Sequence, residues 1–378
     1  MKKLNILIVS GFFPYPVMHG GAYDIWEKIK GIKELGHSID LIYTHKNIPQ
    51  RKDLDIVKQY VKELFFVRRI NKLKYLFHKK PLQVLSRKEL NKVKLTKQYD
   101  YVILESDYVG EILNNKTLKT RKIVLRSHNN ESLYFKNLSR STESLLRKTY
   151  YSLDARKFKD YSEIIYKQVD RVWFISKKEE EEFSDKKGIH LPAPINLTSI
   201  KQQKLNTKNV LFIGSLFMPN NIEGLLWYIK NVHKEVCKRN INYKLIIAGS
   251  SGDVSKKKLK KLFNQYDQLE LILDKKILDE LYAESSIFIN PMLHGAGVKI
   301  KSINAIINGL PLISTSIGSE GIGLKDKETF ILADTIKDFI TAINNLLENS
   351  IDKTALAEKA QTFIKENHYI PILEQELV

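Results

Sequence analysis

The sequence predicts an α/β protein built from two open, doubly wound parallel sheets. Three observations carry this expectation. Short runs of Val, Ile, Leu and Phe alternate with amphipathic helical stretches along nearly all 378 residues. Most of these runs are continuous rather than alternating, the pattern of strands buried on both faces of a parallel sheet. The pattern also starts twice. Leu7-Ile8-Val9-Ser10-Gly11 opens one half and Leu211-Phe212-Ile213-Gly214-Ser215 opens the other, each a strand running into a small-residue turn.

In the first half, strands are expected at Asn5–Ser10, Ser38–Tyr43, Glu63–Val67, Tyr101–Glu105, Lys122–Arg126 and Arg171–Ile175. Helical stretches lie between them, including Ala22–Leu35 and Thr142–Gln168. After Phe183 the chain turns polar through His190-Leu191-Pro192-Ala193-Pro194, and Lys201 to Lys208 reads as a solvated linker. A second series follows: Asn209–Gly214, Tyr243–Ala248, Leu269–Leu273, Ser286–Asn290 and Pro311–Ser314, with a helix at Ile222–Lys238. The stretch Thr354–His368 looks helical and is expected to end near Pro371. The domains are thus 1–195, a linker at 196–208, 209–353, and a last helix in 354–378 packing back toward the first domain. Ligands of open parallel sheets bind beyond the carboxyl ends of the strands. Two Rossmann-like domains facing each other would hold one ligand in the cleft between them.

Composition removes several classes. Hydrophobic residues make up 43% and charged residues 28%, an ordinary folded-protein balance. The single cysteine, Cys237, excludes an intrachain disulfide framework and any cysteine-based zinc site, and fits a reducing cytosol. No apolar run reaches the ~18 residues of a membrane-spanning helix. The opening Met1-Lys2-Lys3 run resembles a signal peptide only briefly, because Phe12-Phe13-Pro14-Tyr15-Pro16 stands where a small-residue cleavage site would be. The net charge of +19 draws the chain to anionic partners. It is concentrated in Arg68–Lys97, where eleven basic residues face one acid, Glu89.

The most informative segment runs from His294 to Pro311. A strand delivers the chain into His294-Gly295-Ala296-Gly297, and a helix is expected to start near Val298 and stop at Gly309. A helix N-terminus offers unpaired N–H groups and a partial positive charge to an anion. Lys299 and Lys301 fall in the first turn, where cations oppose the helix dipole. An anion bound there would relieve that conflict; two solvated lysines beside a glycine turn is the plainer reading.

This segment resembles the donor-site signature of the GT-B glycosyltransferases, specifically family 4. Gly309-Leu310-Pro311, then Gly318-Ser319-Glu320-Gly321, follow in the family's register. Upstream, Phe212-Ile213-Gly214-Ser215 through Pro219-Asn220-Asn221 looks like the opening of a donor domain. In the other half, Gly20-Gly21 before a helix, Leu35-Gly36-His37, and Arg126-Ser127-His128-Asn129-Asn130-Glu131 after a strand match the family's first domain. The resemblance implies a GT-B fold and transfer of a sugar from a nucleotide-diphosphate sugar to an acceptor, with retained configuration and no bound metal or cofactor. It assigns the leaving diphosphate to Lys299, Lys301 and the N–H groups around Gly295, Ala296, Gly297 and Val298. Gly20, Gly21, Gly214, Ser215, Asn220, Asn221, His294 and Asn304 would complete the donor site. His128 would face the reacting sugar, with Asn129 and Glu131 beside it on the acceptor side. Many members carry two glutamates around the glycine loop where this chain has Ala296 and Asn304, and the usual Arg…Lys pair after the first donor-domain strand is missing.

The expected partners are a nucleotide-diphosphate sugar and a glycan or lipid-linked acceptor. The expected location is cytoplasmic, peripheral on the inner face of the cell membrane, with Arg68–Lys97 as the surface for anionic lipid. The alternative is that this segment is a solvated variable loop. Nucleic acid is not expected, because no binding motif accompanies the charge. A second reading, motivated by Ala296 and Asn304, is a non-catalytic module of the same fold that binds glycan or partners a transferase.

Overall fold

The structure, a computed structural model, describes residues 2–17, 20–142, 144–194, 200–203, 205–275, 277–295, 298–367 and 369–377. The chain forms two compact units, Met1–Ile195 with His368–Val378, and Asn196–Asn367.

The first unit holds seven parallel strands: β1 (Asn5–Ser10), β2 (Ser38–His45), β3 (Glu63–Arg68), β4 (Gln98–Glu105), β5 (Lys119–Ser127), β6 (Arg171–Phe174) and β7 (Gly188–His190). Their order is β3-β2-β1-β4-β5-β6-β7, so β1 and β4 flank the point where the winding reverses. Successive side chains of a strand point to opposite faces. Ile6, Ile8, Leu41 and Ile103 accordingly join Ile25, Trp26 and Ile29 of helix Gly20–Glu34 in one core. Leu7, Val9, Ile42, Val102 and Leu104 join Phe135 and Phe158 in the other. Those two phenylalanines come from helices Glu131–Ser141 and Leu145–Gln168, which pack against each other.

The second unit holds β8 (Asn209–Ile213), β9 (Lys244–Gly249), β10 (Leu269–Leu273), β11 (Ile287–Asn290), β12 (Leu312–Ser314) and β13 (Ile331–Leu332). Their order is β10-β9-β8-β11-β12-β13, all parallel, with the reversal between β8 and β11. Its main core gathers Phe212, Leu225, Tyr228, Ile247, Ile289 and Phe339.

Three expectations change. The stretch read as a solvated linker is anchored: Lys201 donates its N–H to the Ile307 carbonyl and accepts from Gln361 Nε2 at 2.8 Å, and Leu205 is buried. Two short strands, β7 and β13, were not expected. The terminal stretch is two helices rather than one. Lys353–Glu366 buries Leu356, Ala360 and Ile364 in the second unit, while Tyr369–Glu376 covers the first. Pro371 does not end a helix; it sits in the first turn of the second one, where its missing N–H has no intrahelical partner to lose.

Candidate active site

Each unit gathers polar side chains at its switch point, beyond the carboxyl ends of its central strands, as open parallel sheets do.

In the first unit, helix Gly20–Glu34 follows β1 and begins at Gly20 and Gly21, both at least partly exposed. Its Asp24 and Lys28 lie one turn apart and are fully buried. Lys28 Nζ donates to Asp24 at 2.8 Å and to both Glu105 oxygens at 2.9 and 3.0 Å. Glu105 ends β4. Arg126, near the end of β5, pairs with Asp24 through two nitrogens at 2.6 and 3.1 Å and with the Leu191 and Pro192 carbonyls. His128 follows β5 and places Nε2 3.0 Å from Glu105 Oε2 and Nδ1 3.6 Å from Asp24 Oδ2. Burial opposes ionisation of both acids, but Arg126, Lys28 and His128 outweigh it at Asp24, and Lys28 and His128 at Glu105; both are held below the usual carboxylate range. An ionised Glu105 only accepts, so its hydrogen bond assigns the proton to Nε2. Asp24, Glu105 and His128 have metal-ligand spacing. Two buried cations already neutralise the two carboxylates, so the donor set does not suit a divalent ion.

Asn129 is half-buried, and Asn130 caps the next helix through the Leu133 N–H. Glu131 is buried, accepts from Tyr108 Oη at 2.6 Å, and is pushed up to about 8, burial being the main cause.

In the second unit, two loops converge. The first runs from β8 through Gly214 and Ser215 into helix Pro219–Tyr228. The second runs from β11 into helix Ile300–Ile307. The helix starts two residues later than expected, so Lys299 is its N-cap and only Lys301 lies in its first turn. Asn221 ties the loops together: its Nδ2 donates to the Ser215 carbonyl at 2.9 Å and its Oδ1 accepts from Lys301 Nζ at 2.5 Å. Lys301 Nζ also lies 4.7 Å from the Phe212 ring centre. Gly295 has φ +149°, and a Cβ there would come within 3.6 Å of Asn220 Nδ2 and 3.5 Å of the Lys299 stem. Asn220, Gly295 and Lys299 are therefore neighbours. Buried Asn290 donates to Ser302 Oγ and to the Gly318 carbonyl, which pins the helix against the Gly318 turn. That turn carries Glu320, 3.6 Å from Lys299 Nζ.

Burial pushes Lys301 down to about 7, with the charge of Lys299 adding to the effect. Asn304 lies one turn beyond Lys301 on the same face, half-buried. His294 is exposed and 3.5 Å from Glu223. Val298 is half-buried, and Ala296 and Gly297 lie outside the described residues.

The structure thus brings Gly214, Ser215, Asn220, Asn221, Gly295, Lys299 and Lys301 to one sheet edge, and His128 to the equivalent edge of the other unit. The sequence reasoning missed Asp24, Lys28, Glu105 and Arg126. Their signal was present: Glu105 ends Val102-Ile103-Leu104 and Arg126 ends Ile123-Val124-Leu125, charges inside runs that must be buried. It also gave Glu320 no role beyond its turn.

A family model described as "Glycosyl transferases group 1" matches residues 207–349. The chain is 39% identical over 375 residues, 96% of each protein, to an uncharacterized 44.6 kDa protein in the cps region of Klebsiella pneumoniae. Among solved structures, it is similar to sucrose-phosphate synthase from Thermosynechococcus elongatus (TM-score 0.71, 14% identity, 99% of this chain and 98% of that one). It is also similar to TarM (TM-score 0.70, 11% identity, 100% and 98%) and to Anabaena HepE in complex with UDP and glucose (TM-score 0.67, 10% identity, 99% and 98%). At such identities these likenesses establish the fold, which is GT-B.

Proposed function

The chain belongs to the group 1 glycosyl transferases, and from that premise we propose that it moves a sugar from a UDP-sugar to a glycan or lipid-linked acceptor during cell-surface polysaccharide synthesis. The cps-region relative supports the pathway, and the UDP bound in HepE supports the base. The observation that carries the donor half is the pair Lys299 and Lys301 at the start of helix Ile300–Ile307, with Lys301 held to the β8 loop by Asn221. Cleavage of the anomeric C–O bond loads negative charge on the diphosphate. A fixed positive site there is stronger in the transition state than in the ground state. Lys299, Lys301 and the helix N–H groups supply it without a metal. Asn304 takes hydroxyls of the nucleotide or sugar as a neutral partner. His128, its ring held by Glu105, is the polar group assigned to the first unit's part of the reaction.

The test is a thermal-shift screen against UDP-, GDP-, dTDP- and CMP-linked sugars, with transfer assays on the best ligand. A UDP-sugar should raise Tm. Lys299→Ala should weaken it by about 1.5–3 kcal/mol, roughly 10- to 100-fold in affinity. Equal binding by wild type and variant rejects the diphosphate assignment. Binding without turnover, whatever the acceptor, favours the non-catalytic reading that Ala296 and Asn304 motivate.

The basic segment carries the second part of the proposal, an anionic membrane surface. Its residues divide. Val84, Leu85, Arg87, Leu90 and Leu95 are buried, so it is not a solvated loop, whereas Leu73 and Phe77 are 83% and 90% exposed beside Lys72, Lys74 and Lys79. Two bare apolar side chains among lysines suit a lipid interface. The protein should float with vesicles containing phosphatidylglycerol and not with phosphatidylcholine alone, and Leu73→Ser with Phe77→Ser should abolish flotation. Flotation that survives the double substitution sinks this part.

A further inference from the structure

The first unit contains a second polar feature that the donor chemistry does not use. Arg69 follows β3 and Arg87 follows the short helix Leu82–Leu85. Arg87 is buried and Arg69 half-buried. Gln83 sits between them, and its neutral side-chain oxygen accepts from Arg69 Nη2 and, at 3.3 Å, from Arg87 Nη1. Arg87 Nε donates to Thr44 Oγ1 at 3.0 Å and Nη2 to the Gly11 carbonyl at 2.8 Å; Nη1 donates to the Gln83 carbonyl at 2.6 Å. Arg69 donates to Ser86 Oγ at 3.2 Å and to Gln83 Oε1 at 2.8 Å. Every one of these acceptors is neutral. Among the described residues, no carboxylate forms an ion pair with either guanidinium. Burial, with the charge of Arg69 adding, pushes Arg87 down to about 9. Glu131, the acid whose field reaches Arg87, is bonded to Tyr108 and held mostly protonated at neutral pH. Two neighbouring positive charges partly out of water without a counter-charge are costly, and an anion relieves that cost.

Both guanidiniums line a cavity of about 570 Å³. One wall is the carboxyl end of β1 and β2, including Gly11 and Thr44, and the other is aromatic, with Tyr108, Tyr134, Tyr150 and Tyr151. The volume lies in the range of small-molecule pockets, roughly 300–1,000 Å³. Tyrosines offer a flat apolar face and a polar edge, the combination that covers the face of a pyranose and meets its hydroxyls. Arginines add planar, paired donors for a carboxylate or phosphate.

We propose that this cavity binds a pyranose bearing a carboxylate or phosphate, its oxyanion on Arg69 and Arg87 and its ring against the tyrosine wall. That this sugar belongs to the acceptor rests on the transferase reading above; the binding itself does not.

The test uses the purified full chain and calorimetric titration with glucuronate, glucose 1-phosphate, inorganic phosphate and glucose. Glucuronate or glucose 1-phosphate should bind at least tenfold more tightly than glucose and than phosphate alone, and whichever binds more tightly names the oxyanion. Arg69→Gln should weaken that ligand at least tenfold, while Lys299→Ala leaves it within twofold. Arg87→Gln removes the bonds to Gly11 and Thr44 and is liable to disturb the fold, so the half-buried Arg69 decides, with circular dichroism as the folding control. A result in which neither glucuronate nor glucose 1-phosphate binds more tightly than both glucose and phosphate alone overturns the proposal. So does an Arg69→Gln protein that binds as wild type, or sensitivity to Lys299→Ala instead. UDP-glucose titrated in parallel separates the two readings: loss of the anionic sugar alone sinks the cavity, and loss of UDP-glucose alone sinks the donor assignment.

Discussion

Lys301 adds a pH dependence of its own to the second unit. Its folded value near 7 lies below the ordinary 10.5, so between those values the unfolded chain holds more protons. The ligand-free fold therefore gains stability as pH rises through that window. A bound diphosphate supplies negative charge and restores the proton. UDP-glucose binding should then take up a proton and weaken as pH rises above about 7, by at most about tenfold per pH unit from this group. Calorimetry between pH 6.5 and 8.5 in buffers of different ionisation enthalpy measures this, and Lys301→Met should flatten the profile. At this scale legibility followed the local pattern. Lys299 and Lys301 were visible because a glycine loop and a helix start frame them. Arg69 and Arg87 were not: within a run of eleven basic residues, nothing local distinguishes those that fold inward. Glu131 was visible as a polar neighbour of His128, but its partner Tyr108 comes from another strand's loop.

Elements carry those residues, and their spacing depends on one close approach. A Cβ on Gly224 would lie 2.3 Å from the Pro291 carbonyl oxygen, a backbone atom that cannot swing aside. Helix Pro219–Tyr228 thus lies directly on the chain leaving β11, which places Asn220 and Asn221 beside Gly295 and Lys301. Gly224→Ala should force them apart. The overpacking cost of about 1–3 kcal/mol should exceed the ~1 kcal/mol gained in helix propensity. Urea denaturation should show a net loss, and UDP-glucose affinity should fall with it. Strands were the most legible elements, because Leu7 to Val9 or Leu211 to Ile213 are continuous apolar runs. β7 escaped because its three residues are only half-buried, and β13 because two residues carry no period. The break after Glu366 escaped because Pro371 reads locally as a stop, although proline is equally at home in a first turn.

At the scale of the whole chain there are two similar sheets, and the repeat of a strand and small-residue turn at Leu7 and Leu211 disclosed them. The last layer of the first unit is drawn from residues 369–377. Leu373 and Leu377 are buried there, Tyr369 Oη donates to the Glu27 carbonyl at 3.0 Å, and Trp173 Nε1 donates to Glu376 at 3.1 Å. Leu373→Ala should cost about 2–5 kcal/mol. The loss should appear in the first unit's hydrogen-exchange protection and leave helix Ile300–Ile307 unaffected.

That returning helix also orders events during synthesis. Strands β1 to β7 emerge from the ribosome first, yet the surface around Ile29 and Trp173 stays uncovered until Leu377 has cleared the exit tunnel. Asn196–Asn367, emerging later, contains every strand of its own sheet. The nascent chain therefore carries an open apolar flank through most of its translation, and any chaperone that guards it must hold the half of the protein made first.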